Sequence, residues 1–364
     1  MTRPHNRSLA LALAASVAAA GPAGAQALFG PVIRVGPQFV SYKIDAPVDR
    51  TISQFAVPIA VAVPVAGRLV LDVATAYASS RFEEAAHTEE ISGLTDTQLR
   101  ANYTFGNDNV ILTAGLNLPT GHSTIDFERE AFAAGQIGND FLAFPVSNMG
   151  TGFASTGGVA LARAFGSWNL GAGAAFRYSS PWDAFEAADS VVQYQPGNEI
   201  RFRVGGDRVG SGGRLAVGAT YSMFGDDEAG GFAYSTGDRL ITQAGYQVNL
   251  GAATSLSLSA WDLYRFEGEL LGDAVAPPEN IANVALALGF GLAGATIEPN
   301  VEARFATSDD DTRRGQLTQF GLRLRRPLGK LELYPSAAYA IGKIGAADTG
   351  LTGLRGILTI RFTP

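Results

Sequence analysis

Thr296-Ile-Glu-Pro-Asn-Val-Glu-Ala-Arg-Phe-Ala306 alternates without a break. Ile297, Pro299, Val301, Ala303 and Phe305 fall on one face of an extended chain, and Glu298, Asn300, Glu302 and Arg304 on the other. Period two predicts a strand with one apolar and one polar side. The same pattern recurs on either side of this stretch. Phe320, Leu322 and Leu324 oppose Gln319, Gly321, Arg323 and Arg325, and Ile200, Phe202 and Val204 oppose Arg201 and Arg203. Leu99, Ala101, Tyr103 and Phe105 oppose Gln98, Arg100, Asn102 and Thr104; near the end, Leu358, Ile360 and Phe362 oppose Thr359 and Arg361.

A soluble β-sandwich shares this period, so alternation alone leaves the class open. Three features point to a membrane barrel. Many apolar faces carry no charge, as expected where an Arg or Lys at the bilayer midplane costs roughly 2–4 kcal/mol. Aromatic residues recur near strand ends (Phe39, Tyr42, Tyr77, Phe82, Tyr103, Phe105, Trp168, Tyr178, Trp182, Tyr221, Phe224, Tyr264, Phe266), where membrane interfaces favour amphipathic rings. Connections alternate between short, Gly-rich turns, such as Gly166-Ser167 and Leu328-Gly329, and longer polar ones, such as Glu83–Gly93, Gly225–Gly231 and Ser308–Gly315. About seven turns and eight loops predict an all-β, antiparallel up-and-down transmembrane barrel of about 16 strands, with both termini on the short-turn side; 12 or 14 strands also satisfy the even-number rule.

Composition narrows the function. The 364 residues are 46% hydrophobic and 17% charged, with 44 Gly and a net charge of -7. Low charge argues against disorder, and an acidic chain without a basic stretch argues against a nucleic-acid partner. The absence of Cys excludes disulfides, thiolate metal sites and cysteine nucleophiles. Arg3 and Arg7 followed by the apolar run Leu9–Ala20 and the small residues Ala23-Gly24-Ala25 predict a cleaved secretory signal over 1–25, with a barrel domain over 26–364. The apolar stretch Ile281–Ile297 is broken by Gly289, Gly291 and Gly294 and reads poorly as a helical span.

The longest connection, Pro119 to Gly150, is too long for a hairpin and unusually apolar: Phe127, Phe132, Phe141, Leu142, Phe144 and Met149 are the candidate substrate or gating residues. A short helix is expected from Ser123 or Thr124 through Ala134, stopped by Gly135, with a second turn between Asn139 and Pro145. The segment either folds into the barrel mouth or forms a lid over neighbouring loops. Arg100, Arg201, Arg203, Glu298, Glu302, Arg304, Arg323 and Arg325 are expected to line the lumen, as are Arg177, Asp72 and Glu332; these charges either select solutes or pair across strands. Gly171, Gly173 and Ala175 supply small inward positions. No catalytic or metal site is expected: His122-Ser-Thr-Ile-Asp126 has triad residue types in sequence without the geometry, and the acidic runs at 226–228 and 309–311 lack the spacing of a calcium loop. No cofactor is expected.

Ser92-Gly-Leu-Thr-Asp-Thr-Gln-Leu-Arg-Ala-Asn-Tyr103, Leu116-Asn-Leu-Pro-Thr-Gly121 and Phe144-Pro-Val-Ser-Asn-Met-Gly150 resemble the phenol-degradation meta-pathway type of outer-membrane protein, which is similar in outline to the FadL-type channels for hydrophobic compounds. The resemblance is clearest over roughly residues 90 to 165. It implies passive passage of small apolar or aromatic molecules through the cell outer membrane, with lipid, lipopolysaccharide and the barrel assembly machinery as partners. The last strand, ending Phe362-Thr-Pro364, is similar to the terminal signal that this machinery reads, without the usual final aromatic. A general diffusion porin and a structural or adhesive barrel with a closed lumen are the alternatives.

Overall fold

The computed structural model describes residues 31–106, 109–187, 190–270, 274–309 and 313–364. The expected signal at 1–25, Asn107-Asp108 of one turn, and Asp310 and Asp311 of one acidic run lie outside them. Sixteen antiparallel strands form the wall. In chain order they are β1 (Val32–Val35 continued by Gln38–Ile44), β2 (Arg50–Ala66), β3 (Leu69–Glu84), β4 (His87–Leu94 continued by Thr97–Phe105), β5 (Val110–Leu118), β6 (Ala154–Phe165), β7 (Trp168–Ser179) and β8 (Glu199–Val209). The second half comprises β9 (Gly213–Phe224), β10 (Arg239–Asn249), β11 (Thr254–Arg265), β12 (Glu279–Leu292), β13 (Ala295–Ser308), β14 (Gly315–Leu328), β15 (Leu331–Ile344) and β16 (Thr349–Phe362). Each pairs with the next, and β16 closes on β1 through Ile33 opposite Phe362 and Ile44 opposite Leu351. Closure removes every sheet edge, the condition for strands in lipid.

The expected apolar faces point outward. Phe202, Val204, Phe305, Phe320, Leu322, Leu354 and Leu358 are all exposed on the outer wall, the apolar band that a membrane barrel presents outward. Ile281–Ile297 resolves into nearly all of β12, a turn and the start of β13. That turn and the one after β14 use left-handed backbone: Ala293 and Gly294 have φ of 49° and 77°, and Gly329 has φ of 66°.

Two expectations need correction. Glu83–Gly93 is not a loop, since β3 and β4 run on as a tall hairpin with Glu83 opposite Thr88 and only Ala85-Ala86 at its tip. Its polar residues satisfy each other across the ladder, so a polar run there need not be irregular. Tyr42 and Phe82 do not join an interfacial girdle; they point inward and are 2% and 3% exposed. Phe39, Tyr77, Tyr103, Phe105 and Tyr178 remain outside.

The wall is uneven. β2 and β3 have 17 and 16 residues, whereas β5 has 9. Beyond the low side, Ile125–Asp126, Trp182–Ala187, Ser190–Gln195, Asp227–Ala229 and Phe232–Tyr234 build a second, five-stranded sheet.

Candidate functional site

The site starts at a fault in one strand. Tyr77 faces Leu94 but Ala74 faces Gln98, so β4 carries one residue more than β3 at Thr95-Asp96. Such a bulge re-aims a side chain. Here it turns Asp96 into the structure at 7% exposure. Asp96 Oδ1 accepts Gly121 N–H at 3.0 Å, and Oδ2 accepts Thr151 N–H at 2.7 Å and the Asn117 amide at 2.8 Å. Asn117 also donates to Gly152 O at 2.7 Å. One carboxylate therefore holds both ends of the long connection. At Gly121 a Cβ would meet Met149 O at 2.1 Å and Asp96 N at 2.6 Å, so the neck has room for glycine alone.

From the neck, Ile125 and Asp126 pair in parallel with Phe185 and Glu186, and Trp182 Nε1 donates to Ser123 O at 3.2 Å. The helix α1 spans Ala131–Ile137. It starts later than the sequence suggests and runs through Gly135 to stop at Gly138. Ser123 and Thr124 do not cap it. The Glu89 carboxylate of β4 does so instead, accepting Phe132 N–H at 2.8 Å and Ala133 N–H at 3.1 Å. A cap from so far along the chain leaves no local signal.

After α1 the segment reaches five strands of the wall. Asp140 pairs with Arg265 of β11 at 2.7 Å, and Arg304 of β13 donates to Phe141 O at 2.7 Å. Tyr42 of β1 donates to Leu142 O at 3.0 Å, and Arg355 of β16 donates to Ala143 O at 2.8 Å. Gln54 of β2 receives Val146 N–H at 2.9 Å and donates to Val146 O at 2.7 Å. These partners all lie on the inward face of their strands, so residues 140–146 cross the inside of the ring. Irregular backbone away from water needs such donors and acceptors. Phe141, Leu142, Phe144 and Met149 are buried there with Val40, Tyr42, Ile52, Ile281, Leu317 and Leu351, and the rings of Tyr42 and Phe144 meet edge to face at 5.6 Å.

The other two aromatic candidates sit elsewhere. Phe127 and Phe132 are 60% and 61% exposed; Phe132 stacks on Phe82 at the tall hairpin. The segment is thus divided into an inward apolar stretch and an outward rim.

All eight lumen candidates face inward, and most are paired. Arg304 meets Glu302 at 2.7 Å, Arg323 meets Glu298 at 2.8 Å, and Arg201 is bidentate on Glu199. Glu332 gathers Arg325, Arg361 and the Tyr334 hydroxyl at 2.8, 3.1 and 2.6 Å. Arg203 donates to the Thr220 hydroxyl at 3.1 Å. Arg100 stands opposite Gly115, beside Asp72, which accepts from Asn102 at 2.9 Å. Beside the segment a cavity of about 290 Å³ is lined by Gly138, Asp140, Phe141, Arg265, Glu279 and Arg314 among others.

In the outer sheet Asp227 is 3% exposed and accepts Gly197 N–H. Burial raises its carboxyl pKa above the usual range, and burial likewise pushes up the nearby Tyr194 hydroxyl. The acidic run at 226–228 is therefore not wholly solvated.

Asp96, Asn117, Gln54, Glu89, Arg265 and Arg355 are missing from the sequence-derived candidates. The available signal for Asp96 was the break in alternation at Leu94-Thr-Asp-Thr97.

No protein-family model matches the chain, and no curated protein matches it in sequence. Among solved structures it is similar to the CymD monoaromatic hydrocarbon channel (9% identity, 94% of this chain and 91% of that one, TM-score 0.45). It is also similar to an outer membrane channel from Pseudomonas putida F1 (14%, 92% and 95%, 0.39) and to the outer membrane protein OpdK from Pseudomonas aeruginosa (10%, 92% and 99%, 0.43). At these values the likeness is one of outline, and the resemblance to the meta-pathway type rests on its three motifs.

Proposed function

We propose that this chain is an outer-membrane channel for passive uptake of small hydrophobic or aromatic compounds, with the segment Pro119–Gly150 as its gate. The observation that supports this reading is the crossing of the ring by Asp140–Val146, with Phe141, Leu142 and Phe144 buried in it; in this reading a passing solute meets these side chains. The exposed rim of Phe127 and Phe132 is the first contact for an apolar molecule arriving from outside. The wall meets outer-membrane lipid and lipopolysaccharide, and the assembly machinery reads the strand ending at Phe362.

Conductance of the refolded mature chain in a planar bilayer tests this, alongside a variant with residues 123–149 replaced by a short Gly/Ser linker. The intact chain conducts weakly and the shortened one conducts well, while the intact chain admits toluene into liposomes. A large steady conductance of the intact chain would favour a general porin, a reading for which the presence of charged residues along the lumen speaks. Silence of both, with no toluene entry, would leave a structural barrel.

A further inference from the structure

The apolar side chains exposed on the strands mostly point outward, but Ile241 of β10 is 37% exposed and points inward. It faces Thr220, whose hydroxyl receives Arg203 inside the ring. From Ile241 one inward row runs from strand to strand: Leu263 on β11, Ile281 on β12, Ala306 on β13 and Gly315 on β14, each facing the next. At Gly315 the Phe141 ring fills the place of a side chain, since an added Cβ would lie 2.7 Å from it.

The row joins an aromatic ring of the inserted segment to the lumen, and it holds no polar side chain. Its cover thins along the way. Ala306 and Ile281 are buried, Leu263 is half-buried, and Ile241 is open. The ties of Asp140–Val146 account for that limit: among the described residues they reach β11 at Arg265, and none reaches β10.

The rows on either side are polar. Arg239, Arg265 and Glu279 stand in the next row toward the long-loop end, and Gln243, Trp261, Asn283 and Arg304 in the next row toward the short turns. Arg265 is held by Asp140 and Glu279, and Arg304 by Glu302. Inward positions of a membrane barrel are polar as a rule, so an apolar strip between two polar rows is a departure that favours an apolar occupant. Inward positions on one strand lie about 7 Å apart, which leaves the strip the width of a single ring.

We infer that Ile281, Leu263 and Ile241 form the track along which a small single-ring hydrocarbon leaves the core at Phe141 for the open lumen, with Ile241 as its last apolar contact. The track is continuous with the core, and a solute moving along it exchanges one apolar contact for the next without crossing either polar row. This rests on the channel reading and adds to it the route and the residue that sets the rate of leaving.

The chain has no cysteine, so Ile241→Cys places a single thiol on the track. In detergent that thiol reacts with a water-soluble methanethiosulfonate, and saturating toluene slows the reaction by about threefold, the effect of covering part of one apolar side chain. Thr113→Cys, at an inward position of β5 away from the row, reacts at one rate with and without toluene. Ile241→Ser, checked for folding by its heat-dependent gel shift, slows toluene entry into liposomes by about threefold. If either variant at 241 does not fold, the other decides alone. An unreactive thiol at 241, equal effects of toluene on the two thiols, or an unchanged entry rate in Ile241→Ser overturns the track. Entry through the wild-type chain separates the two readings: toluene entry without protection at 241 removes only the track, and no entry removes the channel and the track with it.

Discussion

The two ends of the lumen are built by different rules. At the long-loop end, Tyr42, Ile52, Phe141, Leu142, Phe144 and Leu351 pack as the interior of a soluble protein does, around a segment whose backbone is satisfied by wall side chains. At the short-turn end β13 to β16 present Glu332 with Arg325 and Arg361, and Glu298 with Arg323, in a charged interior. One strand can serve both: β16 offers Leu351 to the core and, farther along the same face, Arg361 to the charge cluster. The difference teaches that period two fixes only which side a residue faces. What fills the inside is decided by whatever chain returns into it.

Glycine at the neck is the place to break that division most completely. Gly121→Ala drives a Cβ into backbone at 2.1 Å, and we expect a loss of about 3 kcal/mol or more in the hold on the segment. Limited proteolysis should then cut within 122–150 while the barrel still shows its gel shift; an uncut variant would contradict the neck. Asp96→Ala leaves Gly121 N–H, Thr151 N–H and the Asn117 amide without their acceptor, at a cost of roughly 2–4 kcal/mol, and raises conductance. Wild-type conductance in that variant would show that the neck does not govern the core.

Gln54→Leu removes both bonds to Val146 from a fully buried position, worth about 1–3 kcal/mol. It should produce flickering openings in single-channel records rather than a permanent one. At Gly315 a Cβ would lie 2.7 Å from the Phe141 ring, so Gly315→Ala displaces that ring at a cost of about 1–3 kcal/mol. Its readout is faster toluene entry into liposomes, and an unchanged rate would count against Phe141 as an obstacle.

The smallest effect concerns pH and lies outside both ends, in the outer sheet. The Asp227 carboxyl is raised by burial, so its protonated form is favoured by the folded sheet. The sheet is therefore firmest below the ordinary carboxylate value of 3.8 and loosens as pH rises through the raised one. Hydrogen exchange at Gly197, corrected for its intrinsic pH dependence, should speed up over that rise. Asp227→Asn should abolish the trend.

The wall was legible because each strand carries its own label: Ile297, Val301 and Phe305 outward, Glu298, Glu302 and Arg304 inward, with Gly329 at a turn that demands positive φ. The inward arginines were legible as inward, but not as donors to Phe141 O and Ala143 O, because that pairing joins residues far apart in the chain. The tall hairpin was hidden by its polarity, since Glu83 and Thr88 look like loop residues until they are seen to face each other. The aromatics of the long connection could be named but not sorted. Phe127 and Phe144 carry the same side chain, and only the path of the chain between Glu89 and Gln54 sends one to solvent and the other to the core.

Both ends of the inserted segment leave the wall at a single aspartate. Mechanically, the segment is a strap with one buckle and several stitches: its ends meet at Asp96, its middle is tied to Arg265, Arg304, Tyr42, Arg355 and Gln54, and β5 and β6 keep their own pairing of Val110 with Leu161 and Asn117 with Ala154. The cylinder is then a fixed frame and the strap a fitted insert, so any replacement has to bring its own partners for Arg304, Arg355 and Gln54.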